Sequence, residues 1–363
     1  MTAVRKVKVE GRFAMHRGGW IESPEIAYET WGQPNERGDN GVLIFTGLSP
    51  SAHAASSVEN PASGWWEDMI GAGLPIDTDR YFVICVNSLG SCYGSTGPAS
   101  VDPLSGELYR LRFPTLTLED VAAAGFEVVK SLGLETLHTT IGCSMGGMSA
   151  LAFCARYPGL SRAFMSVCAS TRALPFSIAI RSLQREMIVR DPKWQGGDYA
   201  LDDPPLDGQR LARKLGMITY RSAEEWELRF GRERHATTAT RVGAQFSGDF
   251  AVENYLDAQA MRFSGQFDAN CYLYLSRASD LFDFAEHGGS LEAAFQKLEL
   301  DRSMVIGVRT DFLFPQHQQE DLSAGLDSVV DDNELVILDC LKGHDSFLTE
   351  MDAFRPVIGR FLA

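Results

Sequence analysis

The stretch TTIGCSMGGMSALAF, residues 139–153, passes from a short β-branched run to an apolar helix-forming run with almost nothing between them. Thr and Ile favour extended chain, whereas the Met, Ala, Leu and Phe beyond Gly147 suit a helix running to the stop at Tyr157-Pro158. A chain that changes from strand to helix within a few residues must turn sharply. Gly142, Gly146 and Gly147 let its backbone turn and pack closely. Ser144 then stands above the end of a strand at a helix N-terminus, in a G-x-S-x-G arrangement whose natural context is a parallel sheet covered by helices. The five-residue pattern alone is weak; its strand-to-helix setting makes it informative.

Other segments extend that sheet. Residues 42–45 (VLIF), 81–86 (YFVICV), 164–167 (FMSV), 304–308 (MVIGV) and 335–338 (LVIL) are short runs without polar alternation. Strands buried on both faces read this way. Thr117-Leu118-Glu119-Asp120 predicts a helix start with acids in its first turn, and Val121, Gly125, Val128, Val129 and Leu132 predict an amphipathic helix ending near Gly133. Strand and helix alternate to about residue 170 and resume near 302, so the chain is expected to form one α/β domain carrying an insertion. Residues 172–290 are rich in helix formers, Arg and aromatics, and predict a mainly helical cap between a first core part, 1–171, and a second, 291–363. With 363 residues, 45% of them apolar, there is ample material for that core.

Charge narrows the function. The net charge of −15 carries no basic block, which argues against a nucleic-acid partner. The N-terminal MTAVRKVKVEGRF places charges where a signal peptide needs an apolar stretch, and no run approaches 18 apolar residues, so a cytoplasmic protein outside the membrane is expected. The seven cysteines are odd in number and lack metal-site spacing; reduced, largely buried thiols are expected, with no metal and no tightly held cofactor.

A serine hydroxyl becomes a nucleophile near neutral pH when a base takes its proton and an acid orients the base. On a sheet of this kind the chain order is Ser, Asp or Glu, then His. Asp311 follows the 304–308 strand, and His344 lies in the loop after the 335–338 strand, so Ser144, Asp311 and His344 satisfy order and placement. Asp311 also reads as a helix cap, and His344 as a loop histidine. The N–H of Met145, next after the serine, and that of Leu48, in the loop after the 42–45 strand, are the candidate donors for a tetrahedral oxyanion. His53 and the pair Trp65-Trp66 read as structural, and the Cys143 side chain is expected to point into the fold.

These residues resemble the homoserine O-acetyltransferase family of α/β-hydrolase-fold acyltransferases. The resemblance is carried by GWWEDMIGAGLPIDTDRYFVICVNSLGSCYGSTGPAS (64–100), IGCSMGGM, LARKLGMITYRS (211–222), NCYLYLSR (270–277), TDFLFPQHQQ (310–319) and GHDSFL (343–348). It implies an α/β-hydrolase fold and a ping-pong reaction in which acyl-CoA, a substrate rather than a cofactor, acylates Ser144 before an amino-acid hydroxyl takes the acyl group. It also implies that Arg213, with Tyr220 beside it, binds the substrate carboxylate, that Asp345 binds the ammonium, and that the cap forms a homodimer. Ion pairing within the cap is the plainer reading of Arg213 and Asp345. The segments GLSPSAH (47–53) and ALPFSIAIRSLQRE (173–186) are more similar to the serine O-succinyltransferase branch, which implies L-serine and succinyl-CoA, with Arg181 or Arg185 available to a succinyl carboxylate. Homoserine or serine with acetyl-CoA, homoserine with succinyl-CoA and, more distantly, ester hydrolysis are the alternatives.

Overall fold

The computed structural model describes residues 3–234 and 249–363. Eight strands form the main sheet: β1 (Arg5–Lys8), β2 (Glu25–Trp31), β3 (Gly41–Phe45), β4 (Phe82–Val86), β5 (Leu137–Cys143), β6 (Ser161–Val167), β7 (Arg302–Val308) and β8 (Asp332–Leu338). Their order is β1-β2-β4-β3-β5-β6-β7-β8. The first two pairings, β1 with β2 and β2 with β4, are antiparallel, and every pairing from β4 to β8 is parallel. This is the α/β-hydrolase fold. The six runs seen in the sequence are strands of its parallel part. The two antiparallel strands were not foreseen, because β1 is a short, charged, mostly exposed edge and β2 interrupts its apolar residues with Glu25, the buried Glu29 and Thr30. At the opposite edge β8 is only half-buried, not covered on both faces as expected.

Alternate residues of the central strands feed two cores. Leu43 and Phe45 of β3 pack with helix α1 (Leu118–Ser131) and helix α2 (Met145–Arg156), while Val42 and Ile44 pack with Phe354, Ile358 and Phe361 of the C-terminal helix Met351–Leu362. Helix α1 begins where expected. Its N-cap Thr117 donates its N–H to Asp120 Oδ2 at 2.8 Å, and Gly133, at φ +71°, follows its end.

Between β6 and β7 the chain leaves the sheet and returns through a narrow neck, where the Phe284 N–H donates to Thr171 O at 2.8 Å and the Ala173 N–H to Phe282 O at 3.3 Å. Among the described residues, five α-helices rise beyond it: α3 (Pro175–Val189), α4 (Leu206–Tyr220), α5 (Ala223–Phe230), α6 (Ala251–Phe263) and α7 (Ala269–Leu281). Residues 235–248, within the cap interval drawn from the sequence, lie outside the described residues. Among the described residues, no helix is long and apolar enough to cross a membrane.

Candidate active site

The turn after β5 places Ser144 at φ +56°, ψ −124°, a conformation strained for an L-residue. Its N–H is held by Val167 O on β6 at 2.9 Å. The glycines around it are required by contact. A Cβ on Gly142 would collide with the Gly146 carbonyl, one on Gly146 with the Phe45 carbonyl, and one on Gly147 with Ala169 Cβ. Helix α2 thus begins in direct contact with the end of β3, and the serine hydroxyl sits at its positive end.

Two loops at the same edge of the sheet complete a relay. His344 Nε2 lies 2.7 Å from Ser144 Oγ, and His344 Nδ1 lies 2.7 Å from Asp311 Oδ2. Asp311 is not the helix cap that the sequence also allowed, because the next helix begins only at Gln316; its Oδ1 instead closes a turn by accepting the N–H groups of Leu313 and Phe314, each at 2.9 Å. With one oxygen fixed by the backbone, the other is aimed at the imidazole. Phe314 stacks on the ring at 5.0 Å, and Phe347 meets it edge-on at 5.6 Å, so water reaches it poorly. Thr310 joins the loops: its Oγ1 donates to Cys340 O at 2.7 Å and accepts the Gly343 N–H at 3.1 Å. Trp66 Nε1 donates to Phe347 O at 3.2 Å, fixing the segment after the histidine from a third direction. Sequence reading left Thr310 without a role and Trp66 as packing, because neither has a local signature.

A cavity of about 40 Å³ opens on Ser144 and is walled by Leu48, Met145, Met148, Arg181, Gln184, Tyr220, Tyr272, Leu313 and Phe314 among others. Both residues that carry the candidate oxyanion donors therefore line it. As the first residue of α2, Met145 has an N–H with no carbonyl one turn earlier to receive it. Tyr220 and Tyr272 separate this cavity from a small apolar one that also touches Arg213 and Phe263. Arg213 and Phe263 in turn border an outer cleft of about 290 Å³ that includes Arg221 and Asp345. Arg213 and Asp345 thus share the outer cleft, and Tyr220 stands between it and the serine. The Arg213 guanidinium lies 4.1 Å over the Phe263 ring, and its buried Nε has no hydrogen-bond partner among the described residues. Burial pushes the Asp345 carboxyl above the usual carboxylate range, against the opposing charges of Arg221, His344 and Arg213. Burial likewise raises the Tyr220 hydroxyl.

Among the described residues, the two arginines of α3 have one anion between them. Arg181 Nε lies 2.6 Å from Asp280 Oδ1, and Arg185 Nη2 lies 2.6 Å from Asp280 Oδ2. Arg181 reaches the serine cavity; Arg185 is tied back further by donating to Ser276 Oγ at 2.9 Å. Asp280, buried in α7, had no signal in the sequence that would pair it with residues a hundred positions earlier.

His53 is structural, as expected. Its Nδ1 meets the buried Glu29 Oε2 at 2.9 Å, and its Nε2 the Ala62 carbonyl at 2.8 Å. Burial opposes its charge, but the Glu29 hydrogen bond, the Ala62 carbonyl and the charges of Glu29 and Glu67 prevail and raise its pKa. A raised histidine stabilises the fold fully below its unfolded value of about 6.5, and loses that contribution as pH rises through the folded pKa. His53→Gln is therefore expected to cost roughly 3 kcal/mol below pH 6.5, since it leaves Glu29 without its counter-ion. The cost should shrink as pH rises, read as the difference between wild-type and variant urea-unfolding curves; a difference that grows with pH would refute the assignment. Cys143 points into the core, and burial pushes its thiol well up, so it is no nucleophile.

Comparisons with known proteins agree with this fold. A family model described as alpha/beta hydrolase fold matches residues 42–350. The chain is 51% identical over 362 residues to the serine O-succinyltransferase of Litchfieldella anticariensis, covering 99% of this chain and 98% of the other. It is 50% identical over 364 residues to the L-serine/homoserine O-acetyltransferase of Streptomyces lavendulae, covering 99% and 97%. Among solved structures it is similar to esterase E22, with a TM-score of 0.90 at 29% identity and both chains fully covered.

Proposed function

This chain belongs to the homoserine O-acetyltransferase family of α/β-hydrolase-fold acyltransferases, enzymes of amino-acid biosynthesis, and we propose from that premise that it moves a succinyl group from succinyl-CoA to the side-chain hydroxyl of L-serine. In this reading His344 takes the Ser144 proton as Oγ attacks the thioester carbonyl, and Asp311 stabilises the imidazolium that forms. The N–H groups of Met145 and Leu48 receive the oxyanion. Collapse expels the CoA sulfur, which leaves with the proton from His344. The amino acid then enters with its carboxylate toward Arg213 and Tyr220 and its ammonium toward Asp345. Its hydroxyl gives a proton to His344, attacks the acyl carbon, and collapse returns the proton to Ser144. A cytoplasmic homodimer serving cysteine synthesis is part of the same reading.

The observation that carries the choice of acyl group is the sharing of Asp280 by Arg181 and Arg185. Two guanidinium groups on one carboxylate leave a positive charge uncompensated beside the serine cavity, where the distal carboxylate of a succinyl group would lie. The test is CoA release, followed with a thiol reagent, for L-serine or L-homoserine against succinyl-CoA or acetyl-CoA. Serine with succinyl-CoA is expected to be fastest. Arg181→Ala should lower the succinyl-CoA to acetyl-CoA ratio of kcat/KM by about tenfold or more, the loss of one charged hydrogen bond; Arg185→Ala should act less. Fastest release with homoserine and acetyl-CoA, or an unchanged ratio in both variants, would overturn the assignment.

The likeness to a solved esterase favours a second reading, hydrolysis by the same relay. A p-nitrophenyl ester separates the two: slow turnover supports transfer, and turnover as fast as CoA release supports hydrolysis.

A further inference from the structure

The corner between α4 and α5 grips the loop that carries His344. Gly343 sits at φ +64°, and a Cβ there would lie 2.9 Å from Ser222 N and 3.0 Å from Tyr220 O. The Ser222 hydroxyl donates to Leu341 O. Arg221 spans the same joint: its Nε donates to Asp345 Oδ2 at 3.1 Å, and its Nη1 lies 3.5 Å from Glu225 Oε1, one turn into α5. The Glu225 carboxylate is in turn 3.6 Å from Arg229, so the Arg221 guanidinium is held at both ends. Only one oxygen of Asp345 is engaged. Oδ1 has no partner among the described residues, and a quarter of the side chain faces the outer cleft shared with Arg213.

We propose that Arg221 is a positioning residue for the acceptor amino acid: by clamping Asp345 Oδ2 it turns Oδ1 toward the cleft, where Oδ1 receives the ammonium group. This inference rests on the reading of Asp345 given above. The chemistry on the page fits a zwitterion, with a guanidinium at Arg213 and an open carboxylate oxygen at Asp345 bordering one cleft. Asp345 belongs to the same short turn as His344, so the hold on the carboxylate also sets the distance between the ammonium anchor and the base that must reach the acceptor hydroxyl. Arg221 comes from the cap, and the reacting groups come from the sheet. The cap therefore contributes the aim of a core residue as well as a wall of the cavity. In the free enzyme Arg221 also supplies the largest charge opposing the upward push of partial burial on the Asp345 carboxyl.

The experiment uses the full-length enzyme with L-serine as the variable substrate, steady-state kinetics for KM, and rapid-mixing CoA release without amino acid for the acylation step. Arg221→Gln is expected to raise KM for L-serine about tenfold or more, with acylation changed less than twofold, and Arg221→Lys to recover part of the loss. Asp345→Asn should raise KM at least as much, and adding Arg221→Gln to it should cost little more, because the clamp then has nothing to aim. Additive losses in the double variant, or an unchanged KM in Arg221→Gln beside a raised KM in Asp345→Asn, would overturn the positioning role. A loss of acylation equal to the loss in KM would reduce Arg221 to a structural tie, and would overturn it too. An unchanged KM in Asp345→Asn would instead remove the underlying reading of that residue. Thermal unfolding of each variant shows that the kinetics report a folded enzyme.

Discussion

Ser144→Ala is expected to abolish the release of CoA from acyl-CoA, and Asp311→Asn to lower kcat/KM by about 10⁴-fold with the fold intact. The serine variant removes the atom to be acylated, so no acyl-enzyme forms and no burst remains, with or without amino acid. The aspartate variant acts on a proton. Asp311 Oδ1 accepts two backbone N–H groups, and an asparagine oxygen would keep those bonds. That places the amide NH₂ against His344 Nδ1, which must then accept instead of donate. The histidine proton moves to Nε2, the nitrogen that has to take the proton of Ser144 Oγ, 2.7 Å away. Acylation measured by rapid mixing should fall with kcat. Retention of even a tenth of wild-type acylation in either variant would show that another group is the nucleophile or that the relay is not used.

Gly146→Ala is expected to cost about 3 kcal/mol or more of stability, although it adds a single methyl group to a helix. The Cβ would fall on the carbonyl carbon and oxygen of Phe45 and against the carbonyl of Thr46. Neither can yield cheaply, because Phe45 ends the buried β3 and Thr46 begins the loop that carries Leu48. Relief would come from moving α2 away from the sheet, and Ser144 with it, so activity should fall further than stability alone explains. Gly47→Ala, in the same loop, is the control. Its Cβ would meet nothing closer than Pro50 Cδ at 3.7 Å, an ordinary contact, so its unfolding midpoint in urea should stay near wild type. Equal destabilisation by the two substitutions would mean that the tight turn tolerates a side chain and that the glycine pattern has another cause.

What the sequence determined by itself was short-range. The β-branched and apolar runs of β3 to β7 made buried parallel strands, Thr117 and Asp120 started α1, and the glycines flanking Ser144 required a turn tight enough to lift the serine. Each of these follows from a few neighbouring residues, whose backbone preferences and apolar faces act locally. The order Ser144, Asp311, His344 was legible for the same reason, since each stands directly after a recognisable strand. Tertiary structure decided everything that depends on residues far apart in the chain coming together. Only the packed sheet brings positions 144, 311 and 344 within 2.7 Å contacts, and only the seating of α3 against α7 gives Arg181 and Arg185 the one carboxylate of Asp280. Arg221 was invisible for the same cause. Its partner Asp345 lies 124 residues away, and an ion pair at that separation is set by how the cap docks on the sheet, a matter of burial and complementary surfaces that no local pattern encodes.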